Sequence, residues 1–410
     1  MKIIYLHQYF KFPNEYGGTR SFDLATGFVN LGNHVEIIAS TSDKKYKTQN
    51  RWMKVNRNGL KIHYIYLPYS NHMTYFTRSI VFFKFFWFGI FKLLSLKADI
   101  VIASSTPLTI GIPALIKKFL HKTPYIFEVR DVWPEAAISI GAMNNKVLQK
   151  FLFFLEYIIY KYAEILVPLS VDMKKSIISR YPEFSQKPMK VIENICEINR
   201  FQNYQFKKKL LVNKKIGFKP RFTILYAGAF GRVNGLDYLI ELASKLLFID
   251  SSIVFLLIGN GIEKKKLIDK ATLKCVLNKN IFFFDAIPKQ DLPQLYYECD
   301  MGSSFVISKK PLWANSANKF FDTLASGRPV LINYEGWQKE IIEKENIGYV
   351  LPCVIDDHSI KKFIQYSESK LLCQKQKENA LKIAKGKYSI SLAIEKYNKI
   401  LTNINVNVKQ

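Results

Sequence analysis

The chain has 410 residues, 49% of them hydrophobic and 23% charged. That balance suits a globular protein of two or three domains and excludes a disordered or fibrous chain. Against 33 Asp and Glu stand 60 Lys and Arg, and the net charge of +27 favours anionic partners: phosphorylated substrates, nucleic acid or an acidic membrane surface.

The opening run, KIIYLHQYF, reads as a first strand. Its apolar stretch is too short for a signal peptide, and it carries His7 and Gln8. The runs HVEIIAS, KIHYIYLP, DIVIAS, PYIFEV and ILVPLS follow. They are nearly continuous apolar stretches, as in strands buried on both faces of a parallel sheet. Between the first two lies a helical pattern, YGGTRSFDLATGFVNLG, closed by Gly32. This βαβ order predicts a doubly wound α/β sheet. A Lys-rich polar stretch near residues 195–218 marks a boundary, after which the alternation resumes with FTILYAG, SIVFLLIGNG, NIFFFDAI, MGSSFVIS, RPVLIN and IGYVLP. The expected organisation is a Rossmann-like domain over 1–200, a second over 201–370 across a cleft, and a helical tail over 371–410 returning toward the first. The five cysteines, Cys196, Cys275, Cys299, Cys353 and Cys373, are odd in number and scattered. They suggest a reducing cytosol and neither a disulfide framework nor a zinc site.

One segment stands apart. RSIVFFKFFWFGIFKLLSLK, Arg78 to Lys97, is short for a membrane span and is interrupted by Lys84 and Lys92. At about 100° per residue, Arg78, Lys84 and Lys92 share a sector with Phe85 and Phe88. That sector is expected to lie on an anionic membrane surface, with aromatics elsewhere around the helix. A second aromatic run, KFLFFLEYIIYKYA, is expected in the core.

Several motifs carry chemistry. Gly17-Gly18, in the loop after the first strand, either lets a backbone approach a bound group or makes a tight turn. EVRDVWPEA, Glu128 to Ala136, places charges and Trp133 at a strand's C-terminal end, where open α/β sheets bind ligands. YAGAFGRVNGLDYLIELA is strand, glycine loop and helix: Gly228 and Gly231 leave the backbone open, and Arg232 can reach a diphosphate. Gly259 and Gly261 in IGNGIEKKKL repeat the design, either for base or ribose recognition or as a structural turn. In ANSANKFFDTLASGRPVLI, Asn315 or Ser316 is the expected N-cap. Lys319 and Asp322 then share a helix face near the start, Lys319 toward phosphate and Asp322 toward ribose hydroxyls.

Together, YAGAFGRVNGLDYLI, IGNGIEKKKL, IPKQDLPQLYYECDMGSSF and NKFFDTLASGRPVLI, with GGTRS and EVRDVWPE, resemble the GT-B glycosyltransferases of the family-4 type. The likeness spans nearly the whole chain. It is greatest to bacterial transferases of O-antigen and capsule assembly, including those proposed to transfer N-acetyl-L-fucosamine. The resemblance implies a retaining transfer from a nucleoside-diphosphate sugar, such as UDP-N-acetyl-L-fucosamine, to a lipid-diphosphate-linked glycan. The C-terminal half would bind the nucleotide, no metal or other cofactor would be needed, and the enzyme would sit at the cytoplasmic face of the cell membrane. Arg232 and Lys319 would meet the diphosphate, and Arg130 and Asp131 would stand with Gly17 and Gly18 near the reacting sugar. Three positions depart from the family pattern: Ala314 replaces the first carboxylate of a Glu-x7-Glu pair, Asn234 replaces a lysine, and Arg130 replaces a histidine. Rival readings are a nucleotide-sugar epimerase or a phosphorylase on the same fold, or a non-catalytic glycan- or membrane-binding protein. Nucleic-acid binding has no support beyond charge.

Overall fold

The computed structural model describes all residues except 70–72, 74, 106, 204–211, 213–215 and 410, and the side chains of 75, 76, 78 and 405–409. Within them the expected doubly wound halves are present. The first sheet comprises β1 (Lys2–Leu6), β2 (His34–Thr41), β3 (Trp52–Arg57), β4 (Leu60–Tyr66), β5 (Ile100–Ser104), β6 (Tyr125–Val129) and β7 (Ile165–Pro168), in the order β3-β4-β2-β1-β5-β6-β7. The second comprises β8 (Phe222–Ala227), β9 (Ile253–Ile258), β10 (Ile281–Phe284), β11 (Met301–Ser304), β12 (Val330–Ile332) and β13 (Gly348–Val350), in the order β10-β9-β8-β11-β12-β13.

Every strand pair is parallel except β3 with β4. Successive residues face opposite layers: in β1, Ile3 and Tyr5 join one buried cluster and Ile4 and Leu6 the other. Both faces are covered, so each strand is apolar throughout. The strand order reverses beside β1 in the first sheet and beside β8 in the second, which creates a crevice outside the C-terminal ends of β1 and β8. β3 was not among the expected elements. It joins β4 through Asn58 and Gly59, both at positive φ (54° and 73°), the backbone of a type I′ hairpin turn.

A buried charge cluster locks the first half to the chain's end. Arg20 and Glu128 form an ion pair at 2.9 Å, both essentially inaccessible. Tyr5, Ser104 and Tyr397 donate hydroxyls to the same carboxylate, and Arg20 donates to the Ile192 carbonyl at 3.0 Å. Burial opposes the Glu128 charge, yet the Arg20 and Arg130 guanidiniums and the hydroxyl donors hold its pKa at about 2. Glu128, the first residue of the charged motif, is thereby structural. Tyr397 belongs to the last helix (Ile390–Lys409), whose Ala393 and Ile400 pack into the first half's core.

The aromatic helix spans Tyr75–Leu94, and its faces differ from expectation. The Arg78 side chain lies outside the described residues. Phe85 is buried in the core and Phe88 packs against it. Lys92 turns back over the Trp52 ring at 5.9 Å, and burial lowers its pKa, with Lys54 adding to the shift. The outward row is instead Ile80, Phe83, Trp87 and Phe91, with exposed Lys84 beside it. The helical-wheel sector failed because Phe85 packs into the first half's core and Lys92 folds back onto Trp52 of β3. The second aromatic run also differs: Leu152 and Ile159 are buried, but Phe151 and Phe154 are about 60% exposed. Among the described residues no helix is long and apolar enough to cross a membrane.

Candidate active site

Lys319 occupies the second position of the helix Asn318–Ala325, which begins beyond the end of β11. Its ammonium donates to Asn234 Oδ1 at 3.1 Å and stands 5.0 Å from the centre of the Tyr226 ring. A Cβ at Gly228 would lie 3.3 Å from the same nitrogen, so the glycine makes room for the lysine. Burial pushes the Lys319 pKa down to about 8, against the opposing pull of the Asp322 charge. The outcome is a desolvated cation at the switch point of the second sheet.

The helix is not capped as expected. Its N-cap is Ala317, with no side-chain cap hydrogen bond. Asn315 Oδ1 accepts from the Ala317 N–H at 3.2 Å, two residues before the helix N-cap, and Ser316 Oγ accepts from the Asn194 N–H of the first half at 3.2 Å. Ser316 is thus spent on joining the halves, leaving helix N–H groups open for an anion.

Asp322 is on the same side of the helix but has a different partner. Lys289 Nζ lies 2.6 Å from both of its carboxylate oxygens, and both side chains are buried. Lys289 was not recognised from the sequence, because a lone lysine ahead of a helix reads as a solvated one. The backbone there crosses the cleft: the Lys289 N–H donates to the Glu15 carbonyl at 3.2 Å and the Gln290 N–H to the Pro13 carbonyl at 3.1 Å.

The glycine loops divide by role. Gly228 borders Lys319, as above, and Gly231 opens the short turn Arg232–Asn234. Gly259 packs against the first glycine loop: a Cβ there would fall 1.8 Å from the Gly228 carbonyl oxygen. It allows two loops to pack, with the Gly228 N–H bonded to the Ile258 carbonyl at 2.9 Å. Arg232 is 63% exposed and is held by Glu263 at 3.3 Å, not by the lysine pocket. Asn234 is the side chain that joins this loop to Lys319, and it also donates to the Ala229 carbonyl at 2.9 Å.

From the first half, Gly17 has φ of +120°, and a Cβ at Gly18 would meet the Asn318 amide nitrogen at 2.3 Å. Gly18 therefore presses on the Asn318 side chain, at the first residue of the Lys319 helix. Arg130, after β6, is anchored by its N–H to Ser105 Oγ at 2.8 Å. Burial and then the Arg130 charge push the His7 pKa down to about 3, so the imidazole is neutral. Asp131 lines an interdomain cavity of about 110 Å³ with Val132 and Met173, facing Asn234, Ser304 and Lys319. Ligand pockets usually enclose about 300–1,000 Å³, so this cavity alone is small for a nucleotide sugar. Ala314 is buried against Val132, Leu169 and Met173 of the first half, and its carbonyl accepts from Ser170 Oγ at 2.6 Å. The methyl group belongs to a domain contact. Among the described residues no three His, Cys, Asp or Glu side chains form a metal-binding group.

Both halves of the chain match known families. A family model for "Glycosyl transferase 4-like domain" matches residues 17–194, and one for "Glycosyl transferases group 1" matches 209–383. The chain is 23% identical over 254 residues to YtcC of Bacillus subtilis (strain 168), covering 59% of this chain and 61% of that protein. It thus spans about three fifths of the curated relatives it matches. Among solved structures, Anabaena Alr3699/HepE, in complex with UDP and glucose, superposes with a TM-score of 0.73 at 14% identity, over 98% of this chain and 100% of that one. WaaG, a glycosyltransferase involved in lipopolysaccharide biosynthesis, gives 0.67 at 16% identity, over 98% and 99%. The two matched models follow one another along nearly the whole chain on a GT-B fold, and the chain belongs to the group 1 glycosyl transferases with a 4-like N-terminal domain.

Proposed function

We propose that this chain is a retaining glycosyltransferase acting at the inner face of the cell membrane in bacterial surface-polysaccharide assembly. Its donor is a nucleoside-diphosphate sugar, a UDP-sugar such as UDP-N-acetyl-L-fucosamine, and its acceptor a lipid-diphosphate-linked glycan. The observation that carries the reading is Lys319, which stands beside Gly228 and Asn234 near the start of its helix and shares one interdomain cavity with Asp131. HepE, which was solved with UDP and glucose, and WaaG, named for lipopolysaccharide biosynthesis, support the choice of donor and setting.

In this reading the bond from the anomeric carbon to the diphosphate oxygen breaks as the acceptor oxygen bonds to that carbon on the same face. The acceptor's proton leaves with the diphosphate. Negative charge grows on the leaving group, and Lys319 with the open N–H groups of its helix lowers that energy most at the transition state. Arg232 joins them by releasing Glu263. Asp322 accepts from ribose on the lone pairs that Lys289 leaves free, since a carboxylate offers about four. No metal ion or other cofactor is assigned a part. Arg130 and Asp131 contact the reacting sugar from the opposite side.

The test is a panel of nucleoside diphosphates and nucleotide sugars scored by thermal shift, which reports binding by mass action, followed by transfer assays. UDP is expected to raise the melting midpoint, and Lys319→Ala to weaken UDP binding roughly tenfold or more, about 1.4 kcal/mol. Undiminished transfer by that variant would sink the assignment. Absence of any nucleoside-diphosphate response would favour the non-catalytic alternative.

A further inference from the structure

Three helices lie side by side on one face of the first sheet: Tyr75–Leu94, Gly111–His121 and Lys146–Tyr162. The middle one is tied to both neighbours. Lys117 Nζ donates to the Leu93 and Leu96 carbonyls at 3.1 and 2.7 Å, and the Phe119 ring meets Tyr162 at 4.9 Å. All three are crossover helices of parallel strands, so their outer faces form one surface.

That surface is apolar to an extent a core does not explain. The first helix shows Ile80, Phe83, Trp87 and Phe91, spaced by three and four residues. The middle helix turns Ile112, Leu115 and Ile116 partly outward and leaves Phe119 and Leu120 exposed. The third shows Val147, Phe151 and Phe154. Contiguous exposed apolar area of this kind marks an interaction site.

The charges select the partner. Lys84 and Lys150 are exposed within the outer two rows. Across the three helices the sole carboxylate is Glu156, which is fully buried against Arg180 at 2.7 Å. A second copy of this chain would bring the same lysines to the contact. An anionic lipid surface instead gives headgroups to the lysines and an acyl boundary to the rings.

We propose that the three outer faces form a single docking surface that seats aromatic side chains of all three helices in the interface of an anionic bilayer. This rests on the membrane part of the proposed function and is independent of its transferase part. It fixes the orientation of the first half, whereas one amphipathic helix would leave rotation about its axis free.

Flotation of the full chain with vesicles of phosphatidylcholine, with and without added phosphatidylglycerol, tests it. The paired variants are F83S/W87S, F119S/L120S and F151S/F154S, all at exposed positions, each checked for an unchanged melting midpoint. Wild type should float with the anionic vesicles, and each pair should lower the bound fraction roughly fivefold or more. Loss confined to F83S/W87S overturns the three-helix surface and leaves the membrane reading standing. No flotation of wild type overturns both. Concentration-dependent dimerisation abolished by these variants, without vesicle binding, assigns the surface to a second copy and also overturns the proposal.

Discussion

Lys289 grips Asp322 with its ammonium nitrogen 2.6 Å from each carboxylate oxygen, and both side chains are closed to solvent. The backbone of the same lysine reaches across to Glu15 in the first half. One residue thus orients the carboxylate assigned to ribose and braces the cleft above it. Lys289→Ala leaves the Asp322 charge buried and alone, which should cost about 3–5 kcal/mol in denaturant unfolding. The double variant Lys289→Ala/Asp322→Ala should lose less than the two single losses added. Additive losses would mean that the two side chains do not act as a pair.

The Lys319 pKa, pushed down to about 8 from its ordinary 10.5, gives two opposite pH trends. Between those values the unfolded chain holds a proton that the folded chain has released. Stability contributed by this group therefore rises as pH climbs from about 8 toward 10.5. Over the same rise the folded chain loses the cation that faces diphosphate. UDP affinity measured by calorimetry should fall as pH passes about 8, and Lys319→Arg, which stays charged, should remove that inflection. An unchanged inflection in the arginine variant would assign the titration to another group.

What was legible in the sequence follows the burial of the strands. Runs such as DIVIAS and SIVFLLIGNG are apolar throughout because layers cover both sheet faces, so their number and order could be read directly. β3 was missed because it is an antiparallel edge strand of mixed polarity, although Asn58-Gly59 was a hairpin signal in plain view. In the candidate site, spacing could place Lys319 and Asp322 on one side of a helix. Three residues still leave about 60° between them, enough for one to meet Asn234 and the other Lys289. Lys289, and the neighbours of Ala314, come from contacts between distant segments, which no local pattern encodes. The roles assigned to Gly259 and Arg232 rested on loop composition, and composition does not reveal that one glycine carries a backbone crossing or that Glu263 holds the arginine.

Ala314 gives a third prediction. Its methyl group packs on Val132, Leu169 and Met173, all from the other half. Ala314→Glu would put an unpaired charge into that contact. The expected result is a loss of about 3–5 kcal/mol, or a parting of the halves visible as a larger radius in solution scattering, with weaker transfer in either case. A stable Ala314→Glu with faster transfer would show that the position opens on the donor sugar.

Tyr397 tests how the last helix contributes. Its hydroxyl donates to Glu128 Oε1 at 2.7 Å inside the Arg20 cluster, and its ring packs edge-on against Phe28, the centroids 5.5 Å apart. Tyr397→Phe keeps the ring and removes one donor to a buried carboxylate, a bond worth about 1.5–3 kcal/mol. Arg20, Tyr5 and Ser104 still satisfy Glu128, so the charge is not abandoned and the loss should lie at the low end of that range. Tyr397→Ala also vacates the space beside Phe28 and should cost about 3–5 kcal/mol, as large aromatic truncations do. If the last helix docks as a unit, limited proteolysis should release it sooner in both variants, the alanine variant first. UDP affinity should stay near wild type, because no described residue of the helix lines the Lys319 cavity. Equal protease resistance in wild type and Tyr397→Ala would mean that other contacts hold the helix and that the Glu128 cluster serves the first half alone.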